Sequence, residues 1–227
     1  MKPETAHLPI LTAYGAALGL EGTAANEFSQ FGEDGLIDAA IRALGMTGWA
    51  CSCFEIGASD GITGSNIRRL VMRREWPAAF IEAEPDLFTR LVDNVGDLPG
   101  AWPVLARVWP GELDQVLTAA LPHGMSTLGL GVIDIDGADY YLWAGLRARP
   151  SLMLVEYAFE GDPNALPPMP RRDMVPGCKP QAGYNRLIAL GAAKGYVLLA
   201  RTPCNLLFAL APMVKNVTGN LDKDAIP

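Results

Sequence analysis

The sequence predicts a single α/β domain of Rossmann-like type: a mostly parallel, seven-stranded sheet with helices on both faces, closed by a C-terminal antiparallel hairpin. Three observations carry this. Short apolar runs alternate with helix-like runs from about residue 53 onward, the pattern of βαβ units around a parallel sheet. The first apolar run ends in a glycine-bearing turn before a helix-like run. The last two apolar runs, 196–200 and 206–210, flank a short turn containing Pro203 and read as a hairpin.

Each element follows from its pattern. Residues 6–44 read as largely helical, with Ser29, Gln30, Phe31, Gly32, Glu33 and Asp34 as a helix start, and Leu36, Ile37, Ala40, Ile41 and Leu44 spaced to face the sheet. Strands are expected at 53–58, 78–84, 102–109, 130–136 and 152–157, and helices at 64–74, 86–95, 112–121, 140–147 and 184–194. The stretch 159–180 carries Pro163, Pro167, Pro168, Pro170 and Pro176 and reads as a long loop over a substrate site. The chain divides into an N-terminal segment, 1–48, covering a cosubstrate pocket, and the domain proper, 49–227.

Composition bounds the function. Half of the 227 residues are apolar, enough for one sizeable core. A net charge of -7 argues against a nucleic-acid or anionic-membrane partner, and no apolar run is long enough to span a bilayer. The first residues lack the basic start and apolar core of a signal peptide, so a cytoplasmic location is expected. Cys51, Cys53, Cys178 and Cys204 include no C-x-x-C pair, and His7 and His123 are the sole histidines, so a structural zinc site is not expected. Trp76, Trp102, Trp109 and Trp143 read as core or rim packing, and His123 as a solvated loop residue. Arg171, Arg172 and Lys179 give the Pro-rich loop a basic character, solvated or in contact with an acidic substrate group.

The chemistry concentrates in three places. Phe54-Glu55-Ile56-Gly57-Ala58-Ser59-Asp60-Gly61 places Glu55 before the glycines and Asp60 between them. Glycine admits close backbone approach, and carboxylates repel a pyrophosphate while suiting a cationic ligand. The turn therefore reads as a pocket for S-adenosylmethionine, with its sulfonium and amino group, and not for NAD. About one βαβ unit later Ile81-Glu82-Ala83-Glu84-Pro85 offers Glu82 or Glu84 to ribose hydroxyls, Glu84 slightly preferred for its place at the strand tip. The third place is Ile133-Asp134-Ile135-Asp136-Gly137-Ala138-Asp139-Tyr140-Tyr141, with Val155-Glu156-Tyr157 on the next strand. Asp134, Asp136, Asp139, Glu156 and Tyr157 would converge beside the cosubstrate. They admit three roles: general base, divalent-cation ligand, or structural caps and turns. The cation is the less favoured, because a hard cation wants several oxygen ligands meeting at one point.

These residues together resemble the FkbM-like family of S-adenosylmethionine-dependent methyltransferases. The matching pieces are Ser29-Gln30-Phe31-Gly32-Glu33-Asp34-Gly35, the Glu55–Gly61 turn with Asn66, Ile81-Glu82-Ala83-Glu84-Pro85, the Asp134–Tyr141 stretch, Val155-Glu156-Tyr157, Gly195-Tyr196-Val197-Leu198-Leu199 and Asn205-Leu206-Leu207-Phe208. The resemblance implies the class I methyltransferase fold and, usually, O-methylation of a sugar, polyketide or related hydroxyl. It implies that Gln30, Glu55, Gly57, Asp60, Gly61, Asn66, Glu82, Glu84 and Asp134 bind the cosubstrate. Many relatives carry Asn after the Glu-Tyr of the fifth strand, where this chain has Ala158.

The expected function is methyl transfer to a small-molecule acceptor, with Asp136, Glu156, Asp134 and Tyr157 as candidate catalytic residues and a homodimer as a compatible assembly. Two alternatives stand beside it. One is non-methyl chemistry on the same cosubstrate, a cyclisation or aminocarboxypropyl transfer releasing methylthioadenosine. The other is a non-catalytic cosubstrate-binding module.

Overall fold

A computed structural model describes residues 9–48, 51–121, 127–169 and 181–219. Eight strands form one sheet: β1 (Ile10–Leu11), β2 (Ser52–Ile56), β3 (Ala78–Glu82), β4 (Ala101–Leu105), β5 (Leu128–Ile133), β6 (Leu152–Glu156), β7 (Tyr196–Arg201) and β8 (Asn205–Leu210). Their order is β1-β7-β8-β6-β5-β2-β3-β4. The pairs β2–β3, β3–β4, β2–β5 and β5–β6 are parallel, while β8 runs antiparallel to both β6 and β7. This is a Rossmann-like α/β fold, a mostly parallel sheet with a C-terminal antiparallel hairpin and helices on both faces. The sequence anticipates seven strands closed by a C-terminal antiparallel hairpin. In the structure β8 inserts between β6 and β7, and the two-residue β1 adds antiparallel to β7 as an eighth strand.

The strands β2, β3 and β5 are buried along their whole length, as apolar runs of a sheet covered on both sides must be. Successive residues therefore serve opposite cores. Cys53, Phe80, Val132 and Leu154 pack with α1 (Ala13–Ala17), α2 (Glu33–Ala43), α3 (Arg68–Arg74) and α4 (Pro85–Val95) through Tyr14, Ile37, Leu70 and Leu91. Phe54, Ile81, Ile133 and Phe208 pack with α5 (Leu113–Ala120), α6 (Asp139–Gly145) and α7 (Tyr184–Ala193) through Leu117, Trp143 and Leu187. A last helix, α8 (Ala211–Thr218), adds Val214 to the first core. Among the described residues no helix is long and apolar enough to cross a membrane.

Several element bounds depart from the sequence reading. The N-terminal segment is not one helical run: α1 and α2 are separated by a loop in which Gly19, Gly22 and Gly32 take left-handed backbone at φ 73, 66 and 96. Glycine carries no Cβ penalty there, and that conformation ends a helix. The helix expected from residue 64 begins at Arg68, after Gly61 and Gly64 turn left-handed. The third and fourth expected strands stop at Leu105 and Ile133, releasing the residues that follow into loops. Residues 6–8, 170–180 and His123 lie outside the described residues, and with them Arg171, Arg172, Lys179 and Cys178.

The core against α6 and α7 yields a direct test. Phe208 is 1% exposed and packs on Trp143 at 4.9 Å between ring centroids. Phe208→Ala is expected to lower unfolding free energy by about 3–5 kcal/mol, read from urea unfolding.

Candidate functional site

The chain crosses from β4 back to β5 on the other side of β2, so the sheet reverses direction of travel between β2 and β5. Ligands of open α/β sheets bind outside the carboxyl ends of the strands at such a point. A cavity of about 640 Å³ lies there. Its wall takes Glu55, Ile56 and Gly57 from the tip of β2, Ile81 and Glu82 from β3, Ala106 to Trp109 after β4, Asp134 to Ala138 after β5, and Glu156 from β6.

Gly57 makes the reversal fit. A Cβ on it would lie 1.7 Å from the Asp134 carbonyl oxygen, and its φ is 83. The close approach is thus to the backbone leaving β5. The Asp134 N–H also donates to the Ile56 carbonyl at 3.1 Å, so the two strand tips stay joined beyond their last ladder residues.

Buried carboxylates hold the loops around the cavity. Glu55, 2% exposed, accepts from the Asn66 N–H at 2.7 Å and from the Ser65 hydroxyl at 2.7 Å. Glu82 accepts from the N–H groups of Ser59, Ala83 and Glu84 at 2.7–2.8 Å. Asp139 accepts from Ile135 and Gly137, both at 2.9 Å. Over the mouth, Asp34 accepts from Glu27, Phe28 and Ser29 and fixes the loop that carries Gln30 and Phe31. Glu33 accepts from the Phe31 N–H at 2.7 Å and from the Thr202 hydroxyl at 2.7 Å, tying that loop to the β7–β8 turn.

Of the residues singled out in the sequence, Gln30, Glu55, Gly57, Asn66, Glu82, Glu84, Asp134, Asp136 and Glu156 line the cavity. Four lie off its wall, among them Asp139, whose carboxyl is turned to the Ile135 and Gly137 N–H groups. Asp60 is turned to the Ile62 and Thr63 N–H groups of its own turn. Gly61 faces α4, where a Cβ would come within 2.5 Å of Leu91 and 2.7 Å of Val95. The Tyr157 hydroxyl donates to the Thr202 carbonyl at 2.8 Å and is buried. Glu84 is exposed and pairs with Arg107 at 2.7 Å. Asp134 and Asp136 do not share a strand face, because β5 ends at Ile133 and Asp136 turns left-handed at φ 58.

Sequence reading missed Glu33, Trp109, Cys204 and Asn205 as cavity residues. Glu33 bears the ordinary signature of a carboxylate in a helix first turn. Its partner Thr202 is 169 positions away, and no local pattern announces that contact.

The cavity is acidic. Glu33, Glu55, Glu82, Glu84, Asp134, Asp136 and Glu156 line it, against Arg107 as the one cation among the described lining residues. Its other end is apolar and aromatic, with Leu87, Val108 and Trp109. Burial pushes Glu55 up to about 8, opposed by its Asn66 and Ser65 donors and reinforced by Asp134. Burial, then the charges of Asp134, Asp139 and Asp136, push Glu156 up to about 9. Burial raises Asp139 to about 7 against its two N–H donors. Burial, followed by the anions of Glu33, Asp134 and Glu156, raises the Cys204 thiol and keeps it protonated and unreactive. Among the described residues no group of three or more His, Cys, Asp or Glu side chains is arranged to hold a metal ion.

No family model matches the sequence, and no curated protein matches it either. Solved structures do. One is the glycopeptide N-methyltransferase MtfA complexed with S-adenosyl-L-homocysteine, at 13% identity over 75% of this chain and 85% of that one, TM-score 0.41. A second is the CMeT domain of the citrinin polyketide synthase, at 14% identity over 81% of this chain and 54% of that one, TM-score 0.49. A third is a SAM-dependent methyltransferase from Aquifex aeolicus, at 10% identity over 74% of this chain and 87% of that one, TM-score 0.43. Likeness at this level says nothing about what this chain binds.

The raised carboxyls set the pH dependence of stability. A carboxyl whose folded pKa lies above its unfolded value binds more protons folded than unfolded, so its stabilisation is complete below the unfolded pKa and is lost as pH rises through the folded one. For Glu55 and Glu156 that window runs from the ordinary 4.5 to about 8 and about 9. The ligand-free protein is expected to melt at a lower temperature at about pH 9 than at about pH 6 in scanning calorimetry, with Glu156→Gln flattening the slope.

Proposed function

We propose that this chain is an S-adenosylmethionine-dependent methyltransferase acting on a hydroxyl of a small molecule. The observation that carries the reading is a cavity of about 640 Å³ at the carboxyl ends of the strands whose described lining is rich in carboxyl groups, with Arg107 as the one cation among the described lining residues. A site of that size and charge suits a cationic ligand as large as a nucleoside conjugate, and opposes NAD, whose pyrophosphate would meet carboxylates. The residues fit the parts of the cosubstrate. The acidic tips of β2 and β5 suit the ammonium and sulfonium, Glu82 and Glu84 stand where ribose hydroxyls need acceptors, and Leu87, Val108 and Trp109 offer an apolar wall for a purine.

When bound, S-adenosylmethionine supplies an electrophilic methyl group on sulfur. The residues of this chain orient the acceptor and take its proton, since such a displacement needs in-line placement more than covalent assistance. Glu55 and Glu82 are already committed to loop N–H groups, and we assign the role of base to Asp134, Asp136 and Glu156, which line the cavity at the ends of β5 and β6. The described part of the Pro-rich loop reaches the cavity through Pro168, and the Tyr141 hydroxyl holds it by donating to Pro167. We assign acceptor choice to this loop.

The test is incubation of the purified protein with S-adenosylmethionine, alone and with a panel of hydroxylated natural products, followed by mass spectrometry. S-adenosylhomocysteine forming only with an acceptor is the expected result. Methylthioadenosine forming without one would replace methyl transfer by another cleavage of the cosubstrate. With an acceptor in hand, Asp134→Asn is expected to lower kcat by about 10²–10⁴-fold.

A further inference from the structure

Glu156, the last residue of β6, and Asn205, the first of β8, are ladder partners. In an antiparallel pair, residues directly opposite send their side chains to the same side of the sheet, with Cβ atoms about 5 Å apart. Both residues line the cavity. A carboxyl and an amide therefore stand side by side on its wall.

Asn205 is 3% exposed. Its Nδ2 donates to Glu33 Oε1 at 3.4 Å and to Cys204 Sγ at 3.2 Å. Glu33 sets which end of the amide is oxygen: reversed, Oδ1 would face a carboxyl oxygen that already accepts the Thr202 hydroxyl. Among the described residues Oδ1 has no hydrogen-bond partner. A buried acceptor left unmet is unfavourable, and a ligand donor that meets it removes the cost.

Position says which ligand brings that donor. The tip of β8 lies four strands from the tip of β3, about 19 Å at the usual spacing of about 4.8 Å. Glu82 and Glu84, offered to the ribose, stand at the β3 end. Asn205 lies beyond the tips of β5 and β6, on the far side from them. The Pro-rich loop returns at the same place: the Gln181 amide donates to Glu156, and the Ala158 N–H to the Ala182 carbonyl.

We propose that Asn205 recognises the acceptor, and that the acceptor carries hydroxyls on adjacent carbons: one faces the carboxyls at the ends of β5 and β6 and takes the methyl group, and its neighbour donates to Asn205 Oδ1. The proposal rests on the methyltransferase reading and names the substrate class of that site. As the first hydroxyl oxygen bonds to the methyl carbon, the carbon–sulfur bond breaks with its electron pair left on sulfur. The proton of that hydroxyl passes to the carboxyls, and the second hydroxyl keeps its own. A buried polar group rejects an analogue lacking the matching hydroxyl more strongly than an apolar pocket rejects a missing methylene. The monomethyl ether product has lost one of the two donors, so transfer stops there.

Steady-state kinetics of the full chain with S-adenosylmethionine test this on matched probes, cis-cyclohexane-1,2-diol against cyclohexanol and catechol against phenol. Each diol is expected to exceed its partner by about 10–100-fold in kcat/KM and to yield the monomethyl ether alone. Asn205→Leu should bring the ratio close to one. Thr202→Val, which takes a donor from Glu33 and leaves Asn205 Oδ1 in place, should keep it. A merely structural Asn205 would lower both rates together and leave the ratio unchanged. The ratio and the methyl count in the unaltered protein decide the matter even where Asn205→Leu fails to fold. Any member of the natural-product panel that turns over should carry the same adjacent hydroxyls. Equal kcat/KM for diol and mono-ol, a dimethyl ether, or turnover confined to acceptors without adjacent hydroxyls overturns the proposal and leaves the methyltransferase reading standing. Absence of S-adenosylhomocysteine with every probe and every panel member overturns both.

Discussion

Backbone N–H groups captured by buried carboxylates are the interaction on which the cavity depends. Asp34, Glu55, Glu82 and Asp139 each take loop N–H groups that no strand or helix could satisfy, and Asp114 does the same for Arg147 and Ala148 at the far end of α6. A buried N–H left without an acceptor costs about 1–3 kcal/mol. Each carboxylate thus fixes a loop where a longer ladder would have closed the cleft. The Gly57–Asp134 approach sets the width between β2 and β5, and the carboxylates set what hangs over it.

Acidic residues with N–H or hydroxyl donors are part of the scaffold, as Glu33 is when it joins the mouth loop to the β7–β8 turn. Glu156 at the end of β6 takes the Asp136 N–H and the Gln181 amide, while burial, then the charges of Asp134, Asp139 and Asp136, raises it well above its ordinary range.

The sheet was legible in the sequence because buried parallel strands are short apolar runs, and Phe54, Phe80, Leu130 and Leu154 mark them without ambiguity. The cavity wall was legible as far as it follows from strand tips: Glu55, Glu82 and Glu156 lie at strand ends, Asp134 just past one, and all four line the cavity. Where side-chain direction depends on turn geometry, the sequence misleads. Asp60 and Gly61 sit inside the glycine turn but serve its own N–H groups and the packing of α4. Tyr157 follows Glu156 on β6, and the alternation of the strand sends it to the opposite side, onto Thr202. Contacts such as Glu33 to Thr202, and the insertion of β8 between β6 and β7, arise from tertiary pairing and leave no local trace.

The most direct measurement of the central claim is a crystal structure of the protein grown with S-adenosylhomocysteine. The account predicts the amino-acid end beside Glu55, Gly57 and Asp134, the ribose at Glu82 or Glu84, and the purine against Leu87, Val108 and Trp109, with the carboxylate clamps on the loops unchanged. A ligand bound elsewhere, or in this cavity with its adenine among the acidic tips of β5 and β6, would contradict it.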